Sequence, residues 1–257
     1  MTTTLLAQLS DPHMRVGAGD RGSAPALSAA VRAVLALRPL PDAVLVTGDI
    51  ADTGATSEYE RARELLAPLS MPVHVLAGNH DDRDALREHF PEAPLASGAG
   101  APMQYTARVG DLRLVACDTT RPGRDDGALD GGRLEWLEAQ LLADRQTPTV
   151  VAMHHPPVTV GLPVLDAIGL PEGDRRALAE LLERAPHVRR VVAGHVHRTA
   201  FGALGGCGVL ACTSSHEQAR LEIGARELTF VDEPAAFALH AAVDGGLVSH
   251  VQPIADR

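Results

Sequence analysis

An α/β protein whose C-terminal part is mainly antiparallel β is expected from this sequence, on three grounds. Short apolar runs at residues 5–9, 43–46, 73–77, 112–116, 150–153 and 191–193 read as buried strands. Segments with helical spacing lie between them, which implies βαβ units and a largely parallel sheet. Five of the runs lead into short polar clusters: Asp11-Pro12-His13, Gly48-Asp49, Gly78-Asn79-His80-Asp81, His154-His155 and Gly194-His195-Val196-His197. Open α/β sheets bind ligands at the carboxyl ends of their strands, so all the clusters are expected along one edge of one sheet.

The helices follow from pattern and punctuation. Residues 26–37 are rich in Ala, Leu and Val and stop before Pro39 and Pro41; residues 57–66 open with Ser57 and Glu60 in capping-box register. Residues 83–90, 133–143 and 175–185 complete the set, the last two closing near Pro148 and Pro186. Beyond His197 the runs are short: 209–213, 220–223, 228–231, 236–242 and 247–251, with a hairpin signal at Asp244-Gly245-Gly246. This tail is expected to form antiparallel strands in a second sheet packed on the first. Residues 91–102, rich in Gly, Pro and Ala, read as an exposed loop beside the site. No repeat or linker divides the chain, so residues 1–257 are expected to form one domain, with a motif-bearing part (1–200) and a β-rich extension (201–257).

Composition narrows the function. A hydrophobic content of 45% with 22% charged residues is that of a soluble globular protein. The formal charge of -10 argues against coating a nucleic-acid polymer, which depends on basic side chains neutralising phosphates. It leaves a single phosphate ester open as ligand, because bound cations reverse the local field. The basic residues are all Arg. Cys117, Cys207 and Cys212 are an odd, sparse set that reads as small buried thiols of a cytoplasmic protein rather than as a disulfide framework. Met1-Thr2-Thr3-Thr4 lacks a basic n-region and a long apolar core, so no signal peptide is expected, and no uninterrupted apolar stretch approaches membrane-spanning length.

The clusters carry metal chemistry. Two divalent ions about 3.5–4 Å apart need a bridging carboxylate, several imidazoles and open positions for water and substrate. Asp49 is suited to bridge. Asp11 and His13 sit two apart after a strand, and His195 and His197 repeat that spacing. His154 adds an imidazole, and Asn79 offers an amide oxygen. Mixed oxygen and imidazole donors suit Mn, Fe, Zn or Co, and the lack of Cys among them argues against a structural zinc knot.

The string Asp-x-His, Gly-Asp, Gly-Asn-His-Asp, His, Gly-His-x-His, running from Leu6 to His197, resembles the calcineurin-like metallophosphoesterase superfamily. The phrases at residues 9–13, 41–44, 78–82 and 153–157 are most similar to bacterial class III cyclic nucleotide phosphodiesterases and related glycerophosphodiesterases. The resemblance implies a four-layer α/β/β/α sandwich, the metallo-dependent phosphatase fold. It assigns Asp11, His13, Asp49 and His197 to one metal ion, and Asp49, Asn79, His154 and His195 to the other. It implies in-line attack by a metal-bridging hydroxide on a small phosphodiester, a cyclic nucleotide or a glycerophosphodiester, with His80 facing the substrate to protonate or stabilise the leaving alkoxide. Pro12 departs from the Thr common between the first two ligands. Purple acid phosphatases carry a Tyr where this chain has Asp52, so a tyrosinate-iron centre is not expected.

Around this set, Asp52 and Asp81 are candidates to orient ligands, and Arg15 and His216 are candidate substrate contacts. His155 is expected to bond backbone or neighbouring groups rather than a metal. His74 reads as a satisfied core histidine, His89, His187, His240 and His250 as surface or packing residues, and Asp125, Asp126, Glu58, Glu60 and Glu64 as solvated faces. A phosphomonoesterase or nucleotidase would use the same residues, and a non-catalytic scaffold is disfavoured because no ligand position is missing. Edge strands in the tail suggest a homo-oligomer.

Overall fold

The computed structural model describes residues 3–17, 20, 22–92 and 100–255. Strand β1 (Thr4–Leu9) leads through α1 (Ser23–Leu35) to β2 (Ala43–Val46), and then through α2 (Thr56–Leu66) to β3 (Val73–Val75) and α3 (Arg83–His89). The hairpin β4 (Tyr105–Val109) and β5 (Leu112–Ala116) precedes α4 (Gly131–Ala143), β6 (Thr149–Ala152), a short α5 (Pro163–Asp166), α6 (Glu172–Glu183) and β7 (Val188–Ala193). The tail holds β8 (Ala200–Leu204), β9 (Cys207–Ala211), β10 (Gln218–Ala219), β11 (Phe230–Val231), β12 (Ala236–Val243) and β13 (Gly246–Pro253).

These strands form two main sheets, ordered β13-β12-β1-β2-β3 and β4-β5-β6-β7-β9-β8, and a separate β10-β11 ribbon. Residue alternation sorts each strand into layers. Leu6 and Leu45 of one sheet pack with Leu114, Ala116, Val150, Ala152 and Val192 of the other, filling the space between the sheets. Ala7, Leu9, Val44 and Val46 turn the opposite way, onto Leu27, Val31 and Val34 of α1 and Tyr59 and Ala62 of α2. Val115, Val151 and Val191 likewise meet Leu137 of α4 and Leu178 and Leu181 of α6. The result is the α/β/β/α sandwich that the resemblance implied.

Three expectations are corrected. The ligand-bearing strands do not share one sheet: β1, β2 and β3 lie in the five-stranded sheet, and β6 and β7 in the six-stranded one. β1, β2, β6 and most of β7 are buried apolar runs, so their sequences look alike in either sheet. Apart from the two-stranded β10-β11 ribbon, the tail forms no second sheet, because β12 pairs antiparallel with β1 while β9 pairs parallel with β7. Residues 220–223 are not a strand, and Leu221 and Ile223 stand 59% and 70% exposed, so no packing rewards extension there.

Smaller features also differ. Helix α2 starts one residue early, and Glu58 rather than Glu60 closes its start, accepting hydrogen bonds from the Thr53 and Ala55 N–H groups. Glu58 is therefore buried and not a solvated face. The Asp244-Gly245 turn joins β12 to β13 with φ of 50° and 75°, as a tight hairpin requires. Part of the loop expected over 91–102, residues 93–99, lies outside the described residues. The three cysteines are free and buried. Among the described residues no helix is long and apolar enough to cross a membrane.

Candidate metal centre

The carboxyl ends of the two sheets face each other, and sharp turns there aim the side chains. Asp11, His13, Asp49, His195 and His197 have φ of 47°, 41°, 49°, 69° and 49°. This left-handed region costs an L-residue roughly 1–2 kcal/mol, and Asp and His are among the types that enter it with least difficulty. Such strain clusters where geometry serves a site. Turning the chain directly after β1 and β7 lets residues two apart converge, as Asp11 with His13 and His195 with His197 do. Glycine makes room for the loops: a Cβ on Gly48, itself at φ 90°, would lie 2.5 Å from Nδ1 of His154, and one on Gly78 would overlap Asp49.

Backbone bonds tie the turns into one body. The His13 N–H donates to the Asp49 carbonyl at 2.9 Å and the Gly194 N–H to the His154 carbonyl at 2.9 Å. Between sheets, the His195 N–H donates to Oδ1 of Asp11 at 3.0 Å. Asp81 joins two further loops, accepting from the N–H groups of Ile50 (3.1 Å), Ala51 (3.0 Å) and Gly78 (2.9 Å) and from the Tyr59 hydroxyl (3.1 Å). It orients the loop carrying Asp49 against the loop carrying Asn79.

The side chains then present lone pairs to one another. Nδ1 of His197 faces the Glu217 carbonyl at 2.8 Å and Nδ1 of His154 faces the Thr47 carbonyl at 2.8 Å. A carbonyl only accepts, so each Nδ1 carries the proton and each neutral ring leaves Nε2 as an acceptor. Nδ1 of His13 lies 3.2 Å from Oδ1 of Asp52, which imposes the same tautomer. Yet Nε2 of His13 and Nε2 of His197 are 3.0 Å apart. Nε2 of His154 and Nδ1 of His195 each lie 3.0 Å from Oδ1 of Asn79. Oδ2 of Asp49 stands 3.4 Å from Nε2 of both His13 and His154. With both rings neutral, the facing Nε2 atoms of His13 and His197 repel unless a cation lies between them, and Asp49, Asn79, His154 and His195 gather further oxygen and nitrogen donors beside them, so the donor set fits metal ions. Asp11, His13, Asp49 and His197 have donor atoms within 4.8 Å of one another, as do His154, His155 and His195.

Burial and charge act against each other at this centre. Burial resists charge on His154, but the Asp49 carboxylate outweighs it and brings the pKa up to about 9. Burial also opposes ionisation of Asp49, yet His154 and His13 hold its carboxyl well below the usual carboxylate range. The hydrogen bond to His13, then the Arg15 guanidinium, keep Asp52 low. Burial followed by the Asp49 charge pushes Asp81 up to about 6. The Nε2–H of His155 donates to the Asp125 carbonyl (3.1 Å), which leaves its Nδ1 to accept from the Thr119 hydroxyl (2.9 Å).

A cavity of about 320 Å³ opens over the centre. His80 and Arg15 both line it. The Nδ1–H of His80 donates to the Asp52 carbonyl at 2.7 Å, and its N–H donates to Oδ1 of Asp49 at 2.9 Å. Arg15 is held by Asp52 at 2.8 Å and reaches Glu217 at 3.5 Å. His216 is not brought to this cavity. The Ser214 hydroxyl donates to the Asp11 carbonyl and accepts from the His216 N–H, turning the chain so that Glu217 faces the cavity. The His216 ring lies by the start of α1, 3.7 Å from where a Cβ on Gly22 would stand.

Sequence reasoning missed several residues at the cavity. Asp125, read as solvated, lines it, as do Glu217 and an apolar wall of Leu165, Ile168, Leu228 and Phe230. No local signal marks them, since Asp125 arrives on the loop before α4, Leu165 and Ile168 on and just after α5, and Glu217, Leu228 and Phe230 on the 217–231 segment, all by tertiary packing. His74 also differs: its Nε2 is buried with no hydrogen-bond partner. His240 is not a plain packing residue, being bonded to Ser249 and Gln8.

Known proteins match this arrangement. The family profile for calcineurin-like phosphoesterases covers residues 4–199. A probable cyclic nucleotide phosphodiesterase of Synechococcus is 33% identical over 88% of this chain and 87% of its own. The glycerophosphodiester phosphodiesterase GpdQ of Enterobacter lignolyticus is 36% identical over 75% of this chain and 70% of its own. The cyclic AMP phosphodiesterase CpdA of Pseudomonas aeruginosa is 32% identical over 76% and 70%. Among solved structures, a dimetal phosphatase from Danio rerio superposes with a TM-score of 0.71 at 18% identity, covering 98% of this chain and 97% of its own. That likeness is one of fold. With the profile spanning the turns that converge at the centre, the chain belongs to the calcineurin-like phosphoesterase family.

Proposed function

We propose that the protein is a metal-dependent phosphodiesterase acting on a small phosphodiester. The observation that carries this reading is the convergence of metal-type donors: Nε2 of His13 and of His197 face each other at 3.0 Å with both Nδ1 protons committed elsewhere, and His154 and His195 each stand 3.0 Å from Asn79. Asp11, His13, Asp49 and His197 would hold one divalent ion, and Asp49, Asn79, His154 and His195 the other. When bound, the ions supply Lewis acidity and an activated water for attack on phosphorus. Mn, Fe, Zn and Co all suit this mixed set of oxygen and imidazole donors.

The chain's own residues do the rest. Asp52 fixes the tautomer of His13, and the carbonyls of Thr47 and Glu217 fix those of His154 and His197. His80, whose Nδ1 is committed to the Asp52 carbonyl, offers Nε2 towards the leaving oxygen as acid or hydrogen-bond donor. Arg15, anchored at the cavity rim, supports the phosphate. Residues 1–257 are read as one domain, a reading supported by the strands that residues 201–257 contribute to both sheets.

Relatives named for cyclic nucleotides and for glycerophosphodiesters are comparably similar. The apolar wall of Leu165, Ile168, Leu228 and Phe230 favours a diester bearing a ring, and therefore a cyclic nucleotide. The test is hydrolysis of bis(p-nitrophenyl) phosphate against p-nitrophenyl phosphate on metal-stripped protein refilled separately with Mn, Fe, Co and Zn. Diester preference is expected. Monoester preference moves the reading to a phosphatase, and no turnover with any metal overturns it.

A further inference from the structure

A run of polar side chains crosses the apolar space between the sheets and ends on Asp11. Oδ2 of Asp11 lies 2.5 Å from the Ser10 hydroxyl, which is 2.6 Å from the Thr47 hydroxyl. Thr47 Oγ1 is 3.0 Å from Nε2 of Gln8, and Oε1 of Gln8 is 3.1 Å from Nε2 of His240. Nδ1 of His240 is 2.8 Å from the Ser249 hydroxyl on β13. Gln8, Ser10, Thr47 and His240 are each 0% exposed.

Proton bookkeeping gives the run a direction. A carboxylate accepts, so Ser10 spends its one hydroxyl proton on Asp11, and Thr47 must donate to Ser10. The amide nitrogen of Gln8 also faces the Ala193 carbonyl at 2.9 Å, which fixes the side chain with Nε2 towards Thr47 and Oε1 towards His240. His240 therefore carries its proton on Nε2, and Nδ1 accepts from Ser249. Every donor points the same way, from the edge strand β13 to Asp11. Aligned hydrogen bonds polarise one another, and burying four polar side chains is costly unless each is satisfied. Packing alone would be met by apolar side chains such as the neighbouring Leu6 and Val192.

We propose that Ser249, His240, Gln8, Thr47 and Ser10 act as one directed chain that positions Asp11 and sets the affinity of the single ion position to which Asp11 belongs. The inference rests on Asp11 being a metal ligand, as read above. These are positioning residues: the ion touches none of them except through Asp11. Partners behind a ligand typically change metal affinity by about 10- to 100-fold.

The test titrates Mn(II) into metal-free wild-type protein and into His240→Leu, His240→Gln, Thr47→Val, Ser249→Ala and Asp11→Asn by calorimetry. His240→Leu and Thr47→Val are expected to weaken one of two binding events by about 10- to 100-fold and leave the other unchanged. His240→Gln, whose amide N–H reaches towards Gln8, is expected to recover most of the loss, and Ser249→Ala to show a smaller one. A generally loosened fold would weaken both events and would not be rescued. If Asp11→Asn removes one event while Thr47→Val and Ser249→Ala bind both ions as the wild type does, the chain sets nothing and the proposal is overturned. If Asp11→Asn itself changes neither event, the ligand reading beneath it fails instead. Thr47→Val and Ser249→Ala decide the matter should His240→Leu not fold.

Discussion

The five-stranded sheet brings Asp11, His13, Asp49 and Asn79 to the centre, whereas the six-stranded sheet brings His154, His195 and His197. One side therefore supplies both carboxylates and the amide, and the other supplies imidazole alone. The carboxylate side is also the better buttressed, by Asp81, Asp52 and the chain ending in Ser10. The imidazole side leans on backbone carbonyls and on the N–H that His195 gives to Asp11. On the proposed assignment, the negative charge offered to the ions would sit on one sheet, while the second sheet would add imidazole alone. Neither half makes a site without the other.

Substitutions on the carboxylate side are expected to have the greatest effect. Asp49 touches both ring groups, so Asp49→Asn is expected to lose both ions and to slow hydrolysis by about 10³-fold or more, equivalent to roughly 4 kcal/mol of lost charge stabilisation. Metal analysis after dialysis, alongside turnover of a diester, checks it; full metal content in the variant would refute the bridging role. On the imidazole side His195→Ala is expected to take the metal content from two ions to one, because only the Asn79 and His154 group loses a donor. Loss of both ions would mean that the sheets are not separable in this way.

Smaller effects sharpen the picture. Asp52→Asn keeps the shape but weakens the hold on His13 and Arg15, and should cost about 10- to 100-fold in metal affinity. Competition with a chelator would measure it. Stability in the metal-free protein has a distinct pH signature. Burial pushes the His240 pKa down to about 3, against 6.5 in the unfolded chain. Between those values the unfolded state binds the extra proton, so this contribution is present above pH 6.5 and is lost as pH falls towards 3. About 2 kcal/mol should be lost from this group between pH 7 and pH 5. Urea unfolding at the two pH values should show that loss reduced by the same amount in His240→Gln; an unchanged pH dependence would rule the group out. Smallest of all, Phe230→Ala belongs to neither sheet and should raise KM for a cyclic nucleotide by about 2- to 10-fold with kcat nearly constant, from roughly 0.5–1.5 kcal/mol of ring contact.

Much of this was legible along the chain. The apolar runs located β1, β2, β5, β6 and β7 to within a residue or a few, because burial on both faces leaves a continuous hydrophobic signature. The candidate ligands were legible because each follows such a run at a spacing that suits a turn. The same signature hid the partition into two sheets, since a doubly buried strand reads alike wherever it sits. It hid β8 as well, where Phe201 is 68% exposed and the pattern is weak. His216 misled because a histidine after a strand end carries no mark of which way the next turn goes; Ser214 decides that by bonding to Asp11.

The order of elements, the donor types and their likeness to one family are readable along the chain, because they depend on local periodicity and on residue chemistry. Long-range packing is what makes two sheets share the centre, brings Glu217, Asp125 and Phe230 to the cavity, and lets Gln8, Thr47 and His240 connect β13 to Asp11. These facts depend on contacts between residues as many as 232 positions apart. Such contacts are selected by the packing of whole layers, and no short stretch of sequence encodes them.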